Sequence, residues 1–90
     1  MSAVWIPQVL RAAVGGEKQV ELDGRTVREL VAALVTRYPS LKQQLLDDGG
    51  DLNRFVNVYV NGQDVRYLAG LDTPVAERDE VRLLPAMAGG

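Results

Sequence analysis

Apolar and polar residues alternate most clearly between residues 55 and 61, FVNVYVN. Successive side chains of a strand point to opposite faces of a sheet, so Val56, Val58 and Val60 would share one face. The other face would carry the alternate positions, Phe55, Asn57, Tyr59 and Asn61. This segment therefore predicts a strand whose valines belong to the core.

Two segments near the N-terminus also have the character of strands. Residues 3–7, AVWIP, are rich in β-branched and aromatic residues and end in a proline, which cannot donate to a sheet ladder. Residues 17–22 alternate again and place Val20 and Leu22 on one face. The intervening QVLRAAV loses the alternation and is followed by Gly15-Gly16, which predicts a short turn or helical loop. We expect the two strands to form a hairpin.

A helix is predicted just before Pro39. It would begin with a capping box, TVRE, in which the Thr26 hydroxyl accepts from the backbone N–H of Glu29 and Glu29 reaches back. The apolar residues that follow form one stripe at helical spacing: Val27, Leu30, Val31, Leu34, Val35 and Tyr38. Proline disfavours helical geometry in the residue before it, so the helix should end at or before Tyr38.

The segment between this helix and the strand at 55–61 is more polar. Ser40 is positioned to cap a second, shorter helix over LKQQLL, and DDGGDLN then predicts a loop. The loop contains Asp47, Asp48 and Asp51, but it lacks the further spaced ligands of a calcium loop. We therefore interpret it as a solvated loop.

The last third of the chain predicts two more strands. Asn61-Gly62 is a strong signal for a type I′ hairpin turn, so residues 63–68 should return as a short antiparallel strand. After an irregular connection, residues 80–85 predict the final strand, with Val81 and Leu83 inward. Helices on one face of a small mixed sheet make an α+β domain. The order of elements favours a β-grasp fold, a sheet of four to five strands with one main helix packed across it.

Composition and charge exclude several classes of function. The chain has 90 residues, enough for one domain, and 47% of them are hydrophobic, as in a folded protein. Its net charge is −2, with acidic and basic residues interspersed, so no nucleic-acid partner is expected. The apolar runs are too short to span a bilayer and the N-terminus lacks signal-peptide regions. We therefore expect a cytoplasmic protein with no membrane partner.

The lack of cysteine and histidine limits the chemistry further. Without them the chain has no thiolate nucleophile, no imidazole base and no soft ligand for zinc, copper or iron–sulfur sites. We therefore expect no catalytic residue and no metal site, and a protein that is not itself an enzyme.

The chain ends in LLPAMAGG, a glycine pair that follows the last strand and a proline. This ending, the order of elements, the segment RFVNVYVNGQDVR and the glycine pair after the first strand resemble the ubiquitin-like sulfur carriers of the ThiS/MoaD family. The likeness is closest to the CysO-type branch and covers essentially the whole chain. A terminal diglycine alone is a weak motif, but on a β-grasp domain it is fairly specific.

The resemblance implies a reaction at the C-terminal carboxylate. In that family an ATP-dependent, E1-like enzyme of the MoeB/ThiF type adenylates the carboxylate, and sulfur then displaces AMP to give a thiocarboxylate. By the motif match, Gly90 would carry AMP and then sulfur, and Gly89 would complete the pair. The sulfur would pass to a biosynthetic enzyme such as a CysM-type cysteine synthase. No cofactor would be bound, because the activating enzyme uses the ATP.

The sequence also predicts how this end is presented. We expect residues 1–84 to form the β-grasp domain and residues 85–90 a flexible tail that spans at most about 20 Å. Glycine at positions 89 and 90 avoids the bulk of a Cβ where the backbone enters a partner's cleft. The tail is therefore expected to be the working part of the molecule.

A carrier also needs a surface that its partners recognise. Outward positions on the third and last strands would form an apolar and basic patch beside the root of the tail. The candidate interface residues are Phe55, Tyr59, Arg82, Leu84, Pro85 and Met87. An equal alternative is that Phe55 and Tyr59 cover the sheet or pack under residues 40–54, since scattered exposed apolar residues are normal.

Other functions stay open at this stage. Within the family, the chain could be the small subunit of molybdopterin synthase or a thiamin sulfur carrier, although it is longer than the typical thiamin carrier. The loop at 40–54 favours the CysO-like branch. From another class, it could be a ubiquitin-like modifier that forms an isopeptide through Gly90, or a non-reactive β-grasp interaction module.

Overall fold

The computed structural model describes residues 1–86 of the chain. Five strands form one sheet in the order β2-β1-β5-β3-β4. Their bounds are β1 Ser2–Trp5, β2 Gln19–Leu22, β3 Val56–Val60, β4 Gln63–Asp64 and β5 Val81–Pro85. The central strand β5 is parallel to β1 and antiparallel to β3, while β1 and β2 form an antiparallel hairpin. This mixed sheet confirms the predicted fold class.

The alternation in the sequence sorts the strand residues between two faces, as predicted. The inward positions are buried and include Val20 and Leu22 of β2, Val56, Val58 and Val60 of β3, and Val81 and Leu83 of β5. The turn between β3 and β4 has φ 52° at Asn61 and 85° at Gly62. Positive φ at both central residues is what a type I′ turn requires, so the predicted hairpin is confirmed.

The main helix, α1, spans Val27–Arg37 and packs on the inner face of the sheet. The Thr26 hydroxyl accepts from the N–H of Glu29 at 3.2 Å, as the capping box predicts. The Glu29 carboxylate in turn accepts from the N–H of Arg25 at 2.9 Å, one residue before the N-cap. The two bonds satisfy backbone donors at and just before the start of the helix.

Removing the capping hydroxyl should destabilise the protein measurably. We expect Thr26→Ala to lower the free energy of unfolding by about 1 kcal/mol, because the Glu29 N–H loses its acceptor. Urea denaturation followed by circular dichroism measures the change. Thr26→Ser keeps the hydroxyl and serves as the control. An unchanged midpoint for Thr26→Ala would show that this hydroxyl does not stabilise α1.

Two local predictions are wrong for local reasons. Ser40 does not cap the second helix, α2 (Lys42–Leu45), because it lies inside a 3₁₀ turn, Pro39–Leu41, that continues directly into α2. A helix N-cap has extended rather than helical backbone angles. The strand predicted over 63–68 ends at Asp64, whose carboxylate accepts from the N–H of Arg66 at 2.9 Å. That bond starts a 3₁₀ turn, Val65–Tyr67, in place of further strand.

The connection between β1 and β2 is helical, as predicted. It forms a 3₁₀ helix, Gln8–Val14, that buries Leu10 and Val14 and ends at Gly15 with φ 68°.

Within residues 1–86, no helix has the length and apolar character needed to cross a membrane.

Candidate functional site

The described chain ends at the root of the predicted tail. Pro85 is the last residue of β5 and lies opposite Val56, and the N–H of Ala86 donates to the Phe55 carbonyl at 2.8 Å. Pairing with Val56 of β3 and with Phe55, the residue before it, therefore holds the chain as far as Ala86. Residues 87–90 lie outside the described residues, and with them the sequence-predicted site residues Met87, Gly89 and Gly90.

The outward face of the sheet brings together Phe55, Tyr59, Arg82 and Leu84 of the predicted interface, whereas Pro85 lies opposite the inward-facing Val56. In the β3–β5 register, Tyr59 lies opposite Arg82 and Asn57 lies opposite Leu84. Arg82 and Leu84 are exposed and Tyr59 is half-buried. Phe55 precedes β3 and is 50% exposed, so residues 40–54 leave about half of this side chain open. The sheet register thus places these side chains on one surface next to Ala86.

Trp5 extends this surface and was missed from the sequence. It pairs with Arg82 in the parallel β1–β5 register, and the Arg82 guanidinium lies 5.0 Å from the centre of the indole ring. The signal was present, because Trp5 lies between Val4 and Ile6, and alternation puts it on the opposite face from those core residues. The sequence did not show, however, that β5 lies beside β1. We call Trp5, Phe55, Tyr59, Arg82 and Leu84, together with the exposed Pro85 at the end of β5, the tail-root patch.

Arg82 is held in place by an ion pair. Its Nε donates to the Glu80 carboxylate at 2.8 Å, and this bond raises the pKa of Arg82 and lowers the pKa of Glu80 from their ordinary values. Both side chains are exposed, so the pair adds little to stability. Its effect is to position a permanently charged guanidinium over the face of Trp5, which is a favourable cation–π arrangement.

Two further arginines border the patch. Arg66 donates to the Asn57 side chain and to the Asn53 carbonyl, and the Arg54 guanidinium lies 5.0 Å from the centre of the Phe55 ring. In the part of the chain that the structure describes, neither arginine forms an ion pair. The surface around the tail root is therefore both apolar and positively charged, and a complementary surface would be apolar and acidic.

The aspartate loop folds as a self-contained turn. The Asp47 carboxylate accepts from the backbone N–H groups of Gly49 and Asp51 at 2.9 and 3.0 Å. Among residues 1–86, no group of three or more metal-ligating side chains is placed to hold an ion. The carboxylate of Asp47 is thus engaged in closing the loop.

The amino-acid sequence is similar to a family of small carrier and modifier proteins over nearly its whole length. The sequence profile of the ThiS family matches residues 4–90. The sulfur carrier protein CysO of Mycobacterium tuberculosis is 44% identical over 89 residues, which cover 97% of this chain and 96% of that protein. The small archaeal modifier protein 1 of Haloferax volcanii is 35% identical over 82 residues, which cover 88% of this chain and 90% of that one.

A solved structure agrees over the full length. A chain from the crystal structure of the Amycolatopsis orientalis BexX/CysO complex superposes with a TM-score of 0.90 at 43% identity, and the match covers 100% of both chains. This likeness confirms the predicted β-grasp fold. Together with the profile match, it shows that the chain belongs to the ThiS family.

Proposed function

We propose that this protein is a sulfur carrier whose C-terminal Gly90 is adenylated and then converted to a thiocarboxylate. The observation that carries the proposal is the 44% identity to a CysO sulfur carrier over 97% of the chain. The matched region runs to the Gly89-Gly90 pair. Its CysO relatives are carriers rather than enzymes, and this chain is likewise a carrier on which enzymes act.

The proposed chemistry needs no catalytic side chain in the carrier. A carboxylate is a poor acyl donor, so an oxygen of Gly90 first attacks the α-phosphate of ATP and pyrophosphate leaves. A sulfur nucleophile then attacks the carbonyl carbon, and the bond to AMP breaks with AMP taking the electron pair. The activating enzyme binds the ATP and performs these steps. A chain without cysteine or histidine suits this role.

The length of the tail explains why a docking surface is needed. Ala86 is bonded to the sheet, and the four residues beyond it span at most about 14 Å when extended. An active site that receives Gly90 therefore lies close to the body of the carrier. The partner must then cover the surface around Ala86, which is the tail-root patch. We infer that this patch is the shared contact surface for the partners.

We assign two kinds of partner to that surface. The first is an E1-like adenylating enzyme of the MoeB/ThiF type, which binds and consumes ATP. The second is a sulfur-accepting biosynthetic enzyme such as a CysM-type cysteine synthase. The complex of CysO with BexX supports the idea that carriers of this family dock onto a second protein. We place the chain in the cytoplasm, where ATP is available to the first partner.

The function is tested by measuring the intact mass of the protein after incubation with ATP, sulfide and a MoeB/ThiF-type adenylating enzyme. We expect one oxygen to be replaced by one sulfur, and no change when ATP is omitted. An unchanged mass with every MoeB/ThiF-type enzyme of the host organism would contradict the proposal.

A second candidate function is that of a protein modifier, which the similarity to small archaeal modifier protein 1 favours. In that case Gly90 would form an isopeptide bond with a lysine of another protein. Denaturing gels of cell extract, probed for this chain, separate the two functions. Discrete high-mass conjugates would favour the modifier, whereas a carrier migrates only at its own mass.

The proposed role of the tail-root patch predicts how a substitution within it changes the KM for loading. Leu84→Asp should raise the KM for loading by the adenylating enzyme about tenfold, which corresponds to about 1.4 kcal/mol, because a charge replaces an apolar contact. Leu84 is 39% exposed in the free protein, so the fold should tolerate the change. The matched control is Leu68→Asp, at a similarly exposed leucine outside the patch. Equal KM values for the two variants would exclude the patch from the interface.

A further inference from the structure

A groove of about 350 Å³ opens beside Pro85 on the helical side of the sheet. Its lining comes from the 3₁₀ helix after β1, from α2 and from the ends of β3 and β5: Pro7, Val9, Leu10, Gln43, Gln44, Asn53, Phe55, Val56 and Pro85. Ligand pockets are typically about 300–1,000 Å³, so this groove lies at the small end of that range. Its size suits one or two side chains better than a cofactor.

The rim of the groove is unusually exposed for apolar residues. Val9 is 72% exposed and Phe55 is 50% exposed, whereas Leu10 beneath them is only 7% exposed. An apolar rim above an apolar floor offers surface whose burial by a partner is favourable. Neither rim residue contributes much to the core of the free protein.

Charge indicates what would fit there. Arg54 lies over the Phe55 ring and, within residues 1–86, has no carboxylate within ion-pairing distance. Gln43 and Gln44 add polar groups elsewhere in the lining. The complementary occupant is an apolar side chain with a carboxylate beside it that reaches Arg54.

We propose that the groove receives such a side chain from the adenylating enzyme that loads the tail. The inference rests on the proposed sulfur-carrier function. Phe55 and Pro85 belong to both the groove and the tail-root patch, so the two surfaces are continuous across the tail root. An enzyme within about 14 Å of Ala86 that covers the patch also covers the mouth of the groove. Contact on both sides of Pro85 fixes the direction in which the tail leaves the domain.

The test is the steady-state kinetics of sulfur loading with the adenylating enzyme that loads the wild-type protein. We expect Val9→Asp to raise KM about tenfold and to leave kcat unchanged, because Val9 would contribute to binding and supplies no reacting group. Arg54→Glu should also raise KM. Val9→Leu keeps the rim apolar and should behave as wild type, as should Leu68→Asp. Circular dichroism and urea midpoints establish that each variant is folded.

Three results would overturn the proposal while leaving the sulfur-carrier function intact. The first is a wild-type KM for Val9→Asp although Leu84→Asp raises KM. The second is a change of oligomeric state without a change in KM: the wild-type protein sediments as a dimer and Val9→Asp as a monomer, and both have the same KM. A second copy of this chain would then be the occupant of the groove. The third is faster carboxypeptidase digestion of free Val9→Asp with equal KM, which would make the protein's own tail the occupant. Failure of the wild-type protein to acquire sulfur would instead contradict the proposed function itself.

Discussion

Extending the chain by one alanine after Gly90 should abolish sulfur loading and leave the free energy of unfolding unchanged. The added residue converts the carboxylate of Gly90 into a peptide bond and places a Cβ on the new terminal residue. Glycine allows a backbone to approach closely where a side chain would obstruct it. Intact mass measurement after the loading reaction should show only the unmodified extended protein.

The matched control is a chain with one alanine added before Met1. Met1 is 62% exposed, and its amino group contacts only Glu77 among the described residues, so this extension should load as the wild type does. Sulfur found on the C-terminally extended chain would mean that the reaction does not require a terminal Gly90.

Leu34→Ala should lower the free energy of unfolding by about 2–5 kcal/mol, more than Thr26→Ala does. Leu34 is 1% exposed and faces the buried side of the sheet, where it lines the interior with Val58 and Val81. Small domains have only about 5–15 kcal/mol of stability in total, so this loss would be a large fraction of it. Urea denaturation followed by circular dichroism measures the loss.

The control for this substitution lies on the same helix. Thr36 is exposed, and Thr36→Ala should change the free energy of unfolding by no more than about 0.5 kcal/mol. A loss below about 1 kcal/mol for Leu34→Ala would mean that α1 does not pack on the sheet through this residue.

Elements with strong local signals were predictable from the sequence. The alternating valines of β3, the capping box at Thr26 and the turn at Asn61-Gly62 each depend on residues within one short segment, and the structure contains all three. Such signals act through backbone geometry and side-chain periodicity, which do not require knowledge of distant neighbours.

The errors arose where neighbouring signals compete. Ser40 is a good N-cap by residue type, but Pro39 before it starts a 3₁₀ turn that takes Ser40 into the helix. Asp64 occurs in a segment that reads as a strand, yet its carboxylate captures the Arg66 N–H and turns the chain. Short polar side chains compete with the backbone for hydrogen bonds, and composition alone does not decide which prevails.

The surfaces around the tail root were only partly predictable. The outward positions of Tyr59, Arg82 and Leu84 follow from alternation within single strands. The position of Trp5 beside Arg82 depends on the parallel pairing of β1 with β5, which joins the two ends of the chain. The groove depends on four separated segments, so no local pattern could reveal it. The role of Gly90 came from resemblance to a family rather than from the residue itself.

The central claim is that sulfur is carried on the terminal carboxyl group of Gly90. The most direct test is fragment mass spectrometry of the C-terminal peptide after loading with ATP, sulfide and the adenylating enzyme. The account predicts that a single sulfur replaces an oxygen at Gly90 and nowhere else. Sulfur found on any other residue, or a C-terminal peptide that stays unmodified while the intact protein gains sulfur, would contradict it.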